Sequence, residues 1–291
     1  MPPAAPIGGN VTTSVDALLE LLDVTAVQAN NFLGNASDSS RPRVFGGQLL
    51  GQALASAGRT VEPGRSPHSL HAYFLRPGLG SDPIKYAVSN IREGRTFSTR
   101  EVRARQGDRV IFEAMISFHV PEEGLAHQIP APTALDPGGG SPVTSHLEQL
   151  PDIYREWGSL EIRRTHHEPT NVPGSSDNPS VHSQVWMRTT ERLPDDPLLH
   201  ACVLACISDL TLLSVALQPH GIPMRHEDHQ LASIDHSMWF HRPIRADEWL
   251  LYDQSAISSV GSLALTQGRL FQSGETLVAS VAQEGLIRPY R

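Results

Sequence analysis

Two segments near the start of the chain carry apolar residues at helical spacing. The first spans 14–22 and begins with a serine that can cap its first turn. The second spans 44–61, where Gly47, Gly51 and Ala55 are four residues apart. Small side chains at this spacing lie on one helix face and let another backbone approach closely. The pattern therefore predicts a short opening helix and then a longer helix that other elements surround.

Strand patterns follow the second helix. Four segments alternate between apolar and polar residues or run apolar, with Gly, Pro and Asp between them: 68–78, 83–94, 96–107 and 109–120. Short segments of this kind, joined by turn residues, are typical of antiparallel strands. We expect these strands to form a sheet that covers the second helix.

The composition changes in the middle of the chain. Residues 121–180 are rich in Pro, Gly and Ser with scattered charge, which predicts a linker with a short helix near 145–157. Beyond it the first pattern returns, with strand-like segments at 182–188, 230–243, 248–258, 261–274 and 276–289 and a long apolar helix at 198–217. The repeated order of elements indicates a duplication.

A direct alignment of the two parts supports the duplication. Residues 73–77, Tyr-Phe-Leu-Arg-Pro, align with 239–243, Trp-Phe-His-Arg-Pro, at an offset of 239 − 73 = 166. The same offset aligns 110–117 with 276–283. Matching segments in the same order along the chain are harder to attribute to chance than one five-residue match.

The predicted fold class is α+β, with two repeats that each wrap an antiparallel sheet around a central helix. Both central helices are apolar on most faces and so must be buried. We expect an N-terminal repeat at 14–120, a linker at 121–180 and a C-terminal repeat at 181–291.

Composition narrows the classes of function. The chain has 291 residues, 39% of them hydrophobic, which is enough for a sizeable core. Its formal net charge of −8 at pH 7 argues against a nucleic acid or an anionic membrane surface as the main partner. Cys202 and Cys206 lie four apart in the apolar helix, so they are better explained as core residues than as a disulfide. With no signal-peptide pattern in the first residues, we expect a cytoplasmic protein.

The 14 histidines do not form a recognisable metal-binding pattern. Their local clusters at 68–71, 226–229 and 236–241 lack both the helical HExxH spacing and the paired cysteines that indicate zinc. We therefore expect neither a functional metal nor a cofactor.

Asp209 is the one charged residue in the apolar segment 199–217. An ionised carboxylate is costly to bury unless partners compensate it, and burial would raise its pKa and its basicity. From the residues alone, two interpretations stay open: a structural polar cluster or a catalytic group.

Several motifs resemble, in order, those of the bacterial acyl-CoA thioesterase II family of the TesB type. They are VFGGQLLGQAL, HSLHAYFLRPG, LPDDP, SDL, VALQPHGI, IDHSMWFHRP, EWLLY and LVASVAQEGLIR. The resemblance runs from about residue 14 to 288. It implies a double-hotdog fold, hydrolysis of fatty acyl-CoA to free CoA and a fatty acid, and a homo-oligomer, either a dimer or a tetramer.

In this family, an Asp, a Thr and a Gln of the active site hold and activate a water. The resemblance implies that three positions of this sequence correspond to them. The Asp of the SDL motif is Asp209, and the Gln of the VAQEG motif is Gln283. The Thr position is Ser233, which keeps the hydroxyl but lacks the methyl group that restricts side-chain rotation. For the oxyanion donor, we consider a backbone N–H in the glycine-rich helix start at 45–48.

Two other functions stay open. A hotdog hydratase acting on enoyl-CoA would have a His shortly after its Asp, whereas Leu, Thr, Leu, Leu and Ser follow Asp209. A catalytically silent acyl-CoA-binding protein is favoured only by the serine at 233. Arg76 and Arg242, each followed by Pro, could contact CoA phosphates or end a sheet, and we favour the structural role.

Overall fold

A computed structural model describes residues 14–37, 43–134, 136–139, 141–142, 157–165, 181–222 and 229–290. Within them, two buried helices pack against each other and against one large antiparallel sheet. The short helix predicted near 145–157 lies outside the described residues except for its last position.

The N-terminal elements follow the predicted order of helices and strands. Helix α1 is capped by Ser14, whose hydroxyl accepts the backbone N–H of Ala17 at 3.2 Å. The elements are α1 (Val15–Leu22), β1 (Val24–Gln28), β2 (Asn31–Gly34), α2 (Gly46–Gly58), β3 (Ser66–Phe74), β4 (Ile84–Glu93), β5 (Phe97–Gln106) and β6 (Arg109–His119). The hairpin β1–β2 was not expected from the pattern.

The later elements include two strands inside the segment that we predicted to be a linker. Those strands are β7 (Ser141–Pro142) and β8 (Leu160–Arg164), which follow a 3-10 turn at Pro137–Gly139. The remaining elements are β9 (His182–Thr189), α3 (Pro197–Ser208), a 3-10 helix (Leu212–His220), β10 (His229–Ser233), β11 (Asp235–Phe240), β12 (Leu250–Val260), β13 (Leu263–Gln272) and β14 (Thr276–Pro289). Strand β8 pairs with β9, so part of the segment extends the sheet.

The described strands join a single 14-stranded sheet through antiparallel pairings. Its order is β1-β2-β4-β5-β6-β3-β11-β14-β13-β12-β9-β8-β7, and β10 pairs with β14 beside β11. Strands β3 and β11 connect the two halves: Ser237 pairs with His71, to which it is equivalent at the offset of 166. A pairing of equivalent residues places a pseudo-twofold axis between these strands.

Helix α2 is buried along its length. Every residue from Gly47 to Ala57 is buried, and α2 packs directly on α3. A Cβ atom at Gly51 would lie 2.7 Å from a methyl carbon of Leu22 and 3.1 Å from the backbone oxygen of Cys202. At Gly47 it would overlap the backbone oxygen of Cys206. The predicted small-residue face is confirmed, and it is what lets the two helices touch.

The alignment of the last strand is wrong by one residue. Strand β3 pairs Ala72 with Ala114 in β6, and its equivalent β11 pairs Met238 with Val281 in β14. Since Ala72 and Met238 differ by 166 but Ala114 and Val281 differ by 167, β14 has shifted by one position.

The extra residue lies in the hairpin turn before that strand. The turn between β5 and β6 has two residues, 107–108, whereas the turn between β13 and β14 has three, 273–275. A shift of one residue moves each side chain to the other sheet face. Consequently Gln283 corresponds to buried Ile116 and not, as the sequence alignment implied, to Ser117.

One helical segment, Pro197–His220, is long and apolar enough to cross a membrane by length and composition alone. In the structure, 72% of its most apolar 18-residue window is buried. That burial is typical of a core helix, so the length of the segment adds no argument for a membrane.

We expect Gly51→Ala to lower the free energy of unfolding by about 1–3 kcal/mol, because its methyl group overpacks the α2–α3 contact. At an exposed helix position the same change would stabilise the protein by up to about 1 kcal/mol. Urea denaturation measures the difference, and Gly124→Ala, at an exposed position where a Cβ meets no atom within 4 Å, is the control. Unchanged or increased stability of Gly51→Ala would contradict the packing described.

Candidate active site

The apolar helix predicted over 198–217 is interrupted at Asp209. Helix α3 ends at Ser208, Asp209 caps its C-terminus, and a 3-10 helix begins at Leu212. Asp is a poor helix former, and the partners of this carboxylate lie on other elements. The continuous helix was therefore a wrong prediction, and the break directs the carboxylate toward the sheet and toward α2.

The structure brings the three residues identified from the motifs into one hydrogen-bonded group. Gln283 donates from Nε2 to Asp209 Oδ1 at 3.0 Å and to Ser233 Oγ at 2.7 Å. The Ser233 hydroxyl donates to the same Asp209 Oδ1 at 3.2 Å. Asp209 is 9% exposed, Gln283 is fully buried and Ser233 is half-buried. Access from outside is therefore over Ser233 and one side of Asp209.

The N-terminus of α2 completes the surroundings of the carboxylate. The backbone N–H of Gly47 donates to Asp209. A Cβ at Gly46 would lie 2.5 Å from Asp209 Oδ2 and 3.0 Å from the ring of Phe74, so glycine lets the helix start approach this oxygen closely. The positive end of a helix dipole favours a negative charge. The site therefore uses an acid from the second half and a helix start from the first.

Opposing effects set the protonation of Asp209. Burial raises its pKa from 3.8 to about 7, although the hydrogen bonds from Gln283, Ser233 and Gly47 favour the charged form. A carboxyl with this pKa exchanges a proton near neutral pH. Asp209 can therefore act as a base and then as an acid in the same cycle.

Behind Gln283 lies His236, which the sequence indicated only as a member of the histidine cluster at 236–241. Its Nδ1 is 2.8 Å from Gln283 Oε1, and its Nε2 is 3.0 Å from Ser208 Oγ. Burial lowers the pKa of His236 to about 4, so its ring is neutral at pH 7. The sequence feature that could have indicated His236 is its position in the motif IDHSMWFHRP. It lies two residues after Ile234, where a short break separates β10 from β11.

The equivalent positions in the first half carry no such group. With the corrected register, Pro67, Leu70 and Ile116 correspond to Ser233, His236 and Gln283. Leu70 and Ile116 are fully buried and pair across β3 and β6. The same scaffold therefore carries the polar set in one half and apolar packing in the other.

Both arginines of the repeated motif make structural contacts. Arg76 donates to the backbone oxygen of Val110 at 2.8 Å, and Arg242 donates to that of Leu277 at 2.7 Å. Val110 and Leu277 are equivalent at the offset of 167, so the contact is the same in both halves. This agrees with the structural role that we favoured.

The other candidate chemistry does not converge on a site. Cys202 and Cys206 are free thiols, and burial raises the pKa of both. Such thiols are poor nucleophiles at neutral pH. Among the residues that the structure describes, no group of three or more His, Cys, Asp or Glu side chains could hold a metal ion.

The duplicated arrangement of sheet and buried helices defines a double-hotdog protein. The architecture superposes on a hot dog fold protein from Alicyclobacillus acidocaldarius with a TM-score of 0.75 at 16% identity, over 94% of this chain and 99% of that one. At this identity the likeness concerns the fold alone.

Closer comparisons define the family. Residues 161–286 match the acyl-CoA thioesterase family, and residues 36–119 match the acyl-CoA thioesterase N-terminal domain. The chain is 34% identical to acyl-CoA thioesterase 2 of Haemophilus influenzae, over 93% of this chain and 96% of that protein. It superposes on acyl-CoA thioesterase II TesB2 of Mycobacterium marinum with a TM-score of 0.81 at 41% identity, over 93% and 98% of the two chains. The chain belongs to the acyl-CoA thioesterase II family.

The raised pKa of Asp209 predicts a specific pH dependence of stability. Because the folded state binds this proton more tightly than the unfolded chain, the free energy of unfolding falls as pH rises from about 4 to about 7. The Asp209→Asn variant cannot ionise, so it should gain stability relative to the wild type over this range, by up to about 4 kcal/mol. Urea denaturation of both proteins at several pH values tests this, and parallel stability curves would contradict it.

Proposed function

We propose that this enzyme hydrolyses fatty acyl-CoA to free CoA and a fatty acid by direct attack of a water molecule. The observation that carries the proposal is the hydrogen-bonded set of Asp209, Ser233 and Gln283 beside the N-terminus of α2. The family supplies the substrate class. The set supplies what hydrolysis without a covalent intermediate requires, namely a base and groups that hold it in place.

The proton balance passes through Asp209. The carboxylate takes a proton from water while the water oxygen bonds to the thioester carbonyl carbon. The carbon–sulfur bond then breaks, and the departing sulfur takes the proton that Asp209 holds. The products are a free thiol and a carboxylic acid, and Asp209 returns to its charged form. A pKa of about 7 suits both transfers.

Geometry suggests different tasks for the other two residues. Ser233 is the accessible hydroxyl, so it contacts the water together with Asp209. Gln283 is fully buried and donates to both of these residues, so it holds them in one arrangement. Because Gly46 has no Cβ, the carboxylate of Asp209 can pack closely against the start of α2.

The negative charge that develops on the carbonyl oxygen requires a donor. The first turn of α2 points at this site, and its N–H groups favour an anion. Because Gly47 N–H donates to Asp209, the neighbouring N–H groups of Gly46 and Gln48 are the candidates for the oxyanion.

The catalytic residues belong to the C-terminal repeat, 181–291, which follows the N-terminal repeat, 14–120, and the linker, 121–180. Support comes from the β3–β11 junction and from the apolar residues that occupy the equivalent site positions in the first repeat. Among the described residues this set occurs once, and it needs both repeats because α2 belongs to the first.

The enzyme works in the cytoplasm as a homo-oligomer. Free cysteines four residues apart are consistent with a reducing compartment. The equivalent residues Tyr73 and Trp239 are 59% and 39% exposed on the outer face of the sheet, where a second copy could cover them. Whether the assembly is a dimer or a tetramer follows from sedimentation velocity.

Removing the base should nearly abolish turnover. We expect Asp209→Asn to lower kcat by about 1,000-fold or more, since proton transfer and water orientation are both lost. In the wild type, kcat/KM should rise about tenfold per pH unit below pH 7 and then level off, as Asp209 becomes charged. Release of free thiol from an acyl-CoA measures both. A folded Asp209→Asn variant with wild-type turnover would exclude the mechanism.

The serine hydroxyl offers a matched pair of variants. Ser233→Ala removes the group that contacts water and should lower kcat by about 10- to 100-fold. Ser233→Thr keeps the hydroxyl and restricts its rotation, so its kcat should stay within a few-fold of the wild type. Equal activity of the two variants would show that the hydroxyl has no part in the reaction.

A further inference from the structure

His236 is a fully buried polar side chain without a direct role in the proposed reaction. It lies on β11 between Ser208, the last residue of α3, and Gln283 on β14. Its ring reaches Asp209 and Ser233 only through the amide of Gln283. A buried imidazole is costly unless both nitrogens are paired, and both are paired here.

The hydrogen bonds of Gln283 determine which ring nitrogen carries the proton. Both amide hydrogens on Nε2 are directed to Asp209 Oδ1 and Ser233 Oγ, so Oε1 faces the histidine. An amide oxygen can only accept a hydrogen bond. The Nδ1 atom of His236 must therefore carry a hydrogen and donate it to Gln283.

The other nitrogen is then the acceptor. The ring is neutral because it is buried, so Nε2 holds no hydrogen and accepts from the Ser208 hydroxyl, 3.0 Å away. The Ser208 hydroxyl can also donate to the backbone oxygen of Ala205 at 2.9 Å, but it has one hydrogen. If that hydrogen went to Ala205, the lone pair of Nε2 would face the hydroxyl oxygen with no hydrogen between them, so we assign the hydrogen to Nε2. One directed chain results, from Ser208 through His236 and Gln283 to Asp209 and Ser233.

The first half of the molecule shows that the fold does not need this chain. Its equivalent positions hold Leu70 and Ile116, which are fully buried and directly paired. An apolar pair thus fits the same place in the same sheet. The polar pair in the second half therefore serves something other than folding.

We propose that His236 is a positioning residue: its Nδ1–H fixes the Gln283 amide in the orientation that sends both amide hydrogens to Asp209 and Ser233. If the amide were reversed, its oxygen would face the carboxylate, and two acceptors would repel each other. This inference rests on the proposed catalytic set. Outer partners of this kind hold reacting groups at the required geometry.

A pair of substitutions separates the donor from the bulk of the ring. His236→Leu copies the first half and removes the donor, so kcat should fall about 10- to 100-fold while KM stays within about twofold. His236→Asn offers an N–H close to the position of Nδ1 and should recover most of the loss. The positioning role would be overturned if His236→Leu were as active as the wild type. It would also be overturned if His236→Asn were no more active than His236→Leu.

A double-mutant cycle tests whether His236 acts through Gln283. In the Gln283→Ile background, His236→Leu should cause no further loss of kcat, because the amide that it orients is gone. The double variant reproduces the Leu70–Ile116 pair, so it should fold with at least wild-type thermal stability. Losses of kcat that simply multiply would instead show an independent, structural effect.

Long-range proton–nitrogen NMR of the wild-type protein tests the tautomer without any variant that must fold. We expect a neutral His236 ring with its hydrogen on Nδ1 at pH 7, assigned by the signal missing in His236→Asn. A hydrogen on Nε2 would overturn the proposal.

Wild-type turnover in Asp209→Asn and Gln283→Ile would refute the catalytic set itself. Their inactivity beside a fully active His236→Leu would refute only the role of His236.

Discussion

The site depends on one buried carboxyl group, Asp209, for which the described residues provide no cationic partner. Asp209 is compensated by hydrogen bonds from neutral donors on two strands and from the start of α2. Neutral donors offset part of the cost of burial and leave the pKa near 7, whereas a nearby arginine would hold the pKa low. In the proposed mechanism, this pKa makes the group a base that takes a proton from water and then releases that proton to the leaving thiolate.

Several features of the architecture follow from this constraint. The α-helix that leads to Asp209 ends one residue earlier, and the glycines at the start of α2 let that helix approach both α3 and the carboxylate. Because α2 comes from the first half and the three side chains come from the second, the duplication is part of the site. A hotdog half by itself would lack either the helix start or the acid.

The duplication also serves as a comparison within one molecule. Both halves have the same order of central strands, β2-β4-β5-β6-β3 and β9-β12-β13-β14-β11, and the same arginine contact. They differ where chemistry is proposed, with Leu70 and Ile116 in one half and His236 and Gln283 in the other. Polar residues buried where apolar residues also fit are the strongest structural argument that they act in function.

The sequence predicted most of the helices and strands because their patterns are local. The motifs also identified Asp209, Ser233 and Gln283, which the fold brings within hydrogen-bonding distance. The features that the sequence did not predict depend on contacts between segments far apart in the chain. The extra residue in the turn at 273–275 shifts the register of β14 by one position. Aligning the two halves of the sequence does not reveal this shift, because it becomes visible only in the pairing of the strands. His236 could not be recognised before its partners on α3 and β14 were known.

The central claim is that Asp209 activates water and does not itself attack the thioester. A single turnover in water labelled with oxygen-18, with enzyme in excess over acyl-CoA, tests this directly, because the label follows the attacking atom. We predict the label in the released fatty acid and none in the peptide that contains Asp209. Label in the Asp209 carboxylate would mean that a covalent anhydride had formed, and it would contradict the mechanism.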